Sequence, residues 1–228
     1  MLKIIGYKAM KRPEIIVFST ISLDGGLSVR GMRTRLSSDN DLVRLHFFRY
    51  NVDAVMVGAN TVIIDDPLLT IRYYSGKSEK QPYRIVVDRD LRCSPNKRVF
   101  DTSIAPTIII TSREKIGDPK LLRFINRGVS IIFTNRIDHL LDLEYAVQVL
   151  FEHYGIKRIL VEGGGYLIGS LLRQRLIDKL IITISPVLIG LNKTPLINIW
   201  LNDLIKLDLL EAYIDHSTGE VTLVYKPE

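Results

Sequence analysis

Unbroken apolar runs recur along this chain, spaced so that one short helix fits between each pair. Ala54-Val55-Met56-Val57 and Ile108-Ile109-Ile110 are the clearest. A strand with one wetted face alternates apolar and polar side chains, so a strand without alternation is covered on both faces. Helices above and below a sheet provide that cover, and they supply the crossovers that parallel neighbours require. The runs place strands at Glu14–Ile21, Asp53–Gly58, Tyr83–Val87, Thr107–Thr111, Val129–Phe133, Lys157–Val161 and Lys179–Ile189. Between them, Ser38 caps a helix that has an acidic first turn and runs to about Tyr50. Asp118-Pro119 opens a second helix that Gly128 closes, and Asp142 opens a third that Gly155 ends. The last two strands, Ile205–Ile214 and Glu220–Lys226, flank His216-Ser217-Thr218-Gly219 and alternate in part, as an antiparallel hairpin would. The expectation is one α/β domain over residues 1–228, with residues 1–13 as an extension. Its sheet is mostly parallel, has helices on both faces and ends in a C-terminal hairpin.

Composition narrows the class. The chain is 46% hydrophobic and 25% charged, ordinary for a globular domain with a sizeable core. No run approaches the ~20 apolar residues of a membrane helix, and Met1–Pro13 lacks the apolar core of a secretion signal. A single cysteine, Cys93, excludes an intramolecular disulfide and a cysteine zinc cluster, and a cytoplasmic protein is expected. The net charge of +6 and a pI near 9.4 invite a nucleic-acid reading. The basic residues are spread rather than clustered, which suits small phosphorylated ligands better. His46, His139, His153 and His216 are scattered without metal-ligand spacing, so no metal is expected, and His46 reads as a solvated or capping residue.

Three segments carry residues that packing explains poorly. Val161-Glu162-Gly163-Gly164-Gly165 joins an apolar strand to a helix with apolar residues at 167, 168, 171 and 172. Glycines at such a junction let backbone amides approach a ligand, and the helix start favours phosphate. Glu162 is the ionisable side chain of that turn, suited to hydrogen-bonding a neutral part of a ligand. In Val57 to Arg72, Thr61 and Asp65 are four apart and would share one face of a helical turn, able to hold a ribose or pyrophosphate region. A short turn followed by a loop is the equally simple reading. Arg72 is a candidate phosphate clamp. Asp24, in Ser22-Leu23-Asp24-Gly25, lies where the first strand meets a loop and is either a ligand contact or a turn residue.

Taken in order, these segments resemble the riboflavin-biosynthesis reductases. Ser-Leu-Asp-Gly is followed by Asp53 through Arg72 (Val-Gly-Ala-Asn-Thr-Val-Ile-Ile-Asp-Asp-Pro-Leu-Leu-Thr-Ile-Arg at its end), then Arg84-Ile-Val-Val-Asp88, the Val161–Gly165 turn, and Ser185-Pro-Val-Leu-Ile-Gly190. The likeness spans roughly residues 14 to 226. It implies a dihydrofolate-reductase-like fold, a homodimer, and NADPH (or NADH) as cofactor. The implied reaction converts a ribosylaminopyrimidine 5′-phosphate to its ribitylamino form. Deaminase motifs of the fused bacterial forms are absent, which implies the stand-alone archaeal and fungal type acting on 2,5-diamino-6-(5-phosphoribosylamino)pyrimidin-4(3H)-one. Carried over by position, Arg35, Thr61, Asp65, Val87, Asp88, Gly163, Gly164, Gly165 and Tyr166, and on to Ser170, fall in the cofactor region. Arg49, Leu69, Arg72 and Glu162 match substrate contacts. Asp24 and Glu162 are the candidate carboxylates for assisting ring opening or imine protonation. Gly26 stands where many members carry Lys or Arg. The alternatives are a reductase of the deaminated pyrimidine, a pterin or dihydrofolate reductase, and a non-catalytic nucleotide- or RNA-binding protein.

Overall fold

The computed structural model describes residues 11–73 and 81–228; part of the N-terminal extension therefore lies outside the described residues. Its elements in chain order are β1 (Glu14–Ser22), β2 (Gly26–Val29), α1 (Asp39–Tyr50), β3 (Ala54–Gly58), α2 (Ala59–Asp65), β4 (Tyr83–Val87), β5 (Thr107–Ser112), α3 (Lys120–Ile125), β6 (Ser130–Thr134), β7 (Arg136–Ile137), β8 (Leu140–Leu141), α4 (Leu143–Tyr154), β9 (Arg158–Val161), α5 (Gly165–Arg173), β10 (Lys179–Ser185), β11 (Lys193–Pro195), β12 (Leu207–Asp215) and β13 (Glu220–Pro227).

Nine strands form one sheet in the order β12-β13-β10-β1-β9-β3-β4-β5-β6. From β10 to β6 every pairing is parallel, while β10–β13 and β13–β12 are antiparallel. The apolar runs are the central strands: Ala54, Val55, Met56 and Val57 are fully buried, as are Ile108, Ile109 and Ile110. Their side chains divide between two faces, as a period of two requires. Val17, Met56, Ile108 and Ile110 pack against α4 and α5. Val55, Val57 and Ile109 pack against α2 and α3, and Phe18 packs with Phe48 of α1. Three cap readings hold at residue level: Ser38 Oγ accepts the Asp41 amide, Asp142 accepts the Tyr145 amide, and Gly155 closes α4 with φ 66°. In α3 the proline expected at the first helical position is instead the N-cap, and the helix is capped at Asn126, two residues before Gly128.

Two expectations change. The seventh strand was expected to run to Ile189 but ends at Ser185. Pro186 follows and has no N–H for the ladder, and the amides of Ile189 and Gly190 bond to Asp24 instead. The short pairs β2–β11 and β7–β8 were not anticipated. The hairpin β12–β13 does close the sheet, but β12 contributes little core, with Leu207, Leu209, Leu210, Tyr213 and Ile214 all exposed.

Candidate active site

Beyond Val17 and Val161 the neighbours β1 and β9 part company. β9 stops, while β1 continues beside β10 through Ser22. The chain first lays β3 two places from β1 and fills the gap later with β9. Crevices at the carboxyl ends of strands form at such a change of order. A cleft of about 870 Å³ opens there, a size suited to small organic ligands. The ends of β1 (Ser19, Thr20), β3 (Gly58), β4 (Val87) and β9 (Glu162) all face it, together with α2, the start of α5 and Thr194–Pro195.

The glycine turn is built for close approach. Gly163 has φ +107°, a conformation open to glycine, and its carbonyl accepts the Gly58 amide at 2.9 Å. A Cβ on Gly165 would stand 2.2 Å from the Pro195 carbonyl oxygen, because the segment leading to Asn198 crosses directly over the start of α5. Asn198 N–H donates to the Gly165 carbonyl, which pins that crossing. Gly164 is the N-cap and no side chain caps the first turn, so the positive end of α5 faces the cleft. Opposite it, α2 presents Thr61, Ile64 and Asp65 to the same space. The Asp65 carboxyl is held above its ordinary range by burial, with Arg33 opposing, and no donor among the described residues hydrogen-bonds to it.

Glu162 lies between the two ligand-facing walls. Arg49 of α1 grips both its oxygens, Nε to Oε1 and Nη2 to Oε2, each at 2.7 Å, and donates Nη1 to the Thr70 carbonyl at 2.8 Å. The side chains are 6% and 11% exposed, so this is a nearly buried bidentate pair whose charges cancel. Glu162 still lines the cleft, whereas Arg49 stands behind it. Arg49, expected as a substrate contact, is committed to the carboxylate.

The other expected residues separate into three groups. Thr61, Asp65, Val87, Glu162, Gly164, Gly165, Tyr166 and Ser170 share the cleft. Leu69 (buried, φ +54°) and Arg72 belong to the irregular stretch after α2, with the exposed Arg72 guanidinium over the Tyr73 ring. Outside the lining fall Asp24, Arg35, Asp88 and Gly163. The carboxylate of Asp24 accepts from Ser22 Oγ (2.6 Å), the amides of Ile189 and Gly190, and Lys193 Nζ. Those bonds, that from Ser22 first, hold its pKa well below the usual carboxylate range. Asp24 thus ties the end of β1 to the loop after β10, with Lys193 as its cationic partner. Asp88 is fully buried and accepts the Arg92 and Cys93 amides, which shapes the loop after β4. Arg35 is exposed and pairs with Asp39.

Some cleft residues were not anticipated. Among the described residues the lysines and arginines that line it are Arg30, Arg89 and Arg92. Arg89 and Arg92 directly follow the Val-Val-Asp end of β4, and two arginines just past a strand's carboxyl end were a readable signal. Arg89 donates Nη1 to the His139 carbonyl, while Arg92 donates to Asn60 Oδ1 at 2.7 Å. His46, expected at the surface, is fully buried. Cys93 is also fully buried, and burial pushes its thiol pKa upward, so it is an inert core residue. No group of metal-ligating side chains occurs among the described residues.

An open α/β sheet thus carries a cleft at its carboxyl edge, with a glycine-started helix on one wall and a neutralised carboxylate in its lining. The chain belongs to the RibD C-terminal domain family, whose model matches residues 13–213. It is similar to the 2,5-diamino-6-ribosylamino-4(3H)-pyrimidinone 5′-phosphate reductase of Methanothermobacter thermautotrophicus, 33% identical over 181 residues, covering 78% of this chain and 80% of the relative. Riboflavin biosynthesis protein RibD of Aquifex aeolicus is 33% identical over 185 residues, covering 81% of this chain and 49% of that protein. In structure, the riboflavin biosynthesis reductase Rib7 of Saccharomyces cerevisiae superposes with a TM-score of 0.75 at 22% identity, covering 95% of this chain and 90% of Rib7. The α/β architecture expected from the sequence is the fold of these proteins. No helix among the described residues is long and apolar enough to cross a membrane.

Proposed function

We propose that this chain reduces 2,5-diamino-6-ribosylamino-4(3H)-pyrimidinone 5′-phosphate to the ribitylamino compound with NADPH. The observation that carries the reading is one shared cleft: Thr61, Asp65, the glycine turn and Glu162 all line it. The wall formed by α2 and α5 fits a dinucleotide. The uncapped α5 start takes the pyrophosphate, and the half-buried Asp65, which accepts no hydrogen bond from the described residues, takes ribose hydroxyls as acceptor. Arg89 and Arg92 are the cations at the β4 end and suit a 2′-phosphate, which favours NADPH over NADH. When bound, the dihydronicotinamide supplies a hydride.

The protein's own contribution is orientation. Glu162, held rigid by Arg49, presents fixed acceptors to the amino groups or the ribityl hydroxyls of the substrate. A carboxylate so neutralised binds a neutral heterocycle without repelling its phosphate. Arg72, unpaired by any carboxylate among the described residues, is the proposed anchor for the 5′-phosphate. Anchoring both ends of the substrate holds C1′ at contact distance, where orientation lowers the barrier most.

A second copy of the chain covers β12. That strand ends the sheet with exposed apolar side chains, and elsewhere in the chain Leu191, Trp200 and Leu204 are at least nine-tenths exposed. Edge strands of monomers are normally blunted by charge. The functional test follows NADPH absorbance with the diamino substrate and, in parallel, the deaminated one. Oxidation with the diamino compound and a product heavier by two hydrogens supports the reading. No oxidation with either substrate overturns it.

A further inference from the structure

His46 lies one turn before Arg49 on α1 and is fully buried. Its Nδ1 accepts the Arg72 amide at 2.9 Å, which leaves the ring proton on Nε2. Nε2 has no partner among the described residues. The Tyr73 ring meets the imidazole edge-on, centroids 4.8 Å apart and planes at 87°. The stretch from Asp66 to Tyr73 belongs to no strand or helix, so sheet bonds do not hold its backbone. Side chains do so instead. Arg49 takes the Thr70 carbonyl, Gln81 Oε1 takes the Ile71 amide at 2.8 Å, and His46 takes the Arg72 amide. His46 and Arg49 thus clamp one segment from a single helical face, and Arg49 carries that clamp on to Glu162.

We infer that His46 is a positioning residue for substrate phosphate. It fixes the backbone from which Arg72 projects and the Tyr73 ring over which the Arg72 guanidinium sits, 5.7 Å from the centroid. The inference rests on the reading of Arg72 as the phosphate anchor. Only a neutral acceptor fits the place. The ring is buried and stands near two guanidiniums, those of Arg49 and Arg72, and these three influences together keep it uncharged. A phenylalanine would fill the space but leave the Arg72 amide without its acceptor. An asparagine keeps an acceptor where Nδ1 stands, and a glutamine moves it to where Nε2 stands.

The experiment compares wild type with His46→Phe, His46→Asn, His46→Gln, Arg72→Ala and the Arg72→Ala, His46→Phe double variant. Each is assayed with the phosphorylated substrate and its dephosphorylated analogue, alongside NADPH binding by fluorescence. His46→Phe and His46→Gln are expected to raise KM for the phosphorylated substrate about tenfold, the order expected for one orphaned, partly buried amide. The analogue's KM and the NADPH Kd stay within about twofold, and His46→Asn restores most of the loss. In the Arg72→Ala background His46→Phe adds nothing. If His46→Phe does not fold, the asparagine and glutamine variants make the same comparison. Equal losses with both substrates, or additive losses in the double variant, overturn the positioning role. If Arg72→Ala itself fails to discriminate the two substrates, the phosphate assignment falls instead.

Discussion

The Arg49–Glu162 pair makes a demand on stability that can be separated from its demand on binding. Both side chains are nearly buried and share two 2.7 Å bonds. Removing one partner strands the other charge in a poorly solvated place, which costs about 3–5 kcal/mol. For a domain with about 5–15 kcal/mol of stability that is a large share. With a urea m-value of about 2–3 kcal/mol/M, Arg49→Met is expected to lower the midpoint by about 1–2 M. Replacing both residues with methionine leaves no orphan charge and returns the midpoint to within about 0.5 M of wild type. The double variant nevertheless loses substrate binding, with KM raised at least about tenfold, because Glu162 is the ligand-facing member. Urea melts followed by circular dichroism, with parallel kinetics, measure both quantities. A single-variant midpoint shift below about 0.3 M would mean the pair is solvated and that its burial does not matter. A stable double variant with unchanged KM would remove Glu162 from the substrate site.

Three further outcomes are expected. Gly165→Ala drives a methyl into the Pro195 carbonyl, 2.2 Å away, and should cost about 1–3 kcal/mol in a urea melt while weakening NADPH binding; an unchanged NADPH Kd contradicts the cradle. The His46 pKa is lowered from 6.5 to about 4, by burial first and then by Arg49 and Arg72. The unfolded chain therefore takes up a proton between those values that the folded chain refuses, and stability falls as pH drops from 6.5 to about 4, by about 3 kcal/mol at most, and is flat with respect to this group outside that window. His46→Asn should flatten that part of the profile in urea melts at stepped pH. Leu209→Glu with Trp200→Glu should convert a dimer to monomers in sedimentation velocity without unfolding; a wild type that already sediments as a monomer rules out the β12 interface.

Most of the framework is legible in the residue pattern because the central strands are buried on both faces and leave unbroken apolar runs. The caps at Ser38, Asp142 and Gly155 are local chemistry and read correctly for that reason. Thr61 and Asp65 sit on one turn of helix, and their spacing of four is enough to place them together. Asp24 is different. The amide of Gly190 that engages it lies 166 residues away, and nothing in Leu-Asp-Gly distinguishes a brace from a ligand contact. The burial of His46 does not show in the sequence because α1 carries polar residues all round, and Asp41, His46 and Arg49 are buried together on one side of it. What buries His46 includes the irregular stretch around Arg72, which has no period to read. The strands β2, β7, β8 and β11 are two to four residues long, too short for any alternation to show.

The most direct measurement uses NADPH carrying deuterium at both positions of the transferring carbon, together with the diamino ribosylaminopyrimidine phosphate. A dinucleotide and a sugar phosphate lying side by side in the cleft at the ends of β1, β9 and β3 should yield a ribitylamino product with deuterium at C1′. Thr61→Val with Asp65→Ala should abolish that transfer while the protein stays folded. NADPH that binds but excludes the pyrimidine, or product formed without the label, would contradict a shared site.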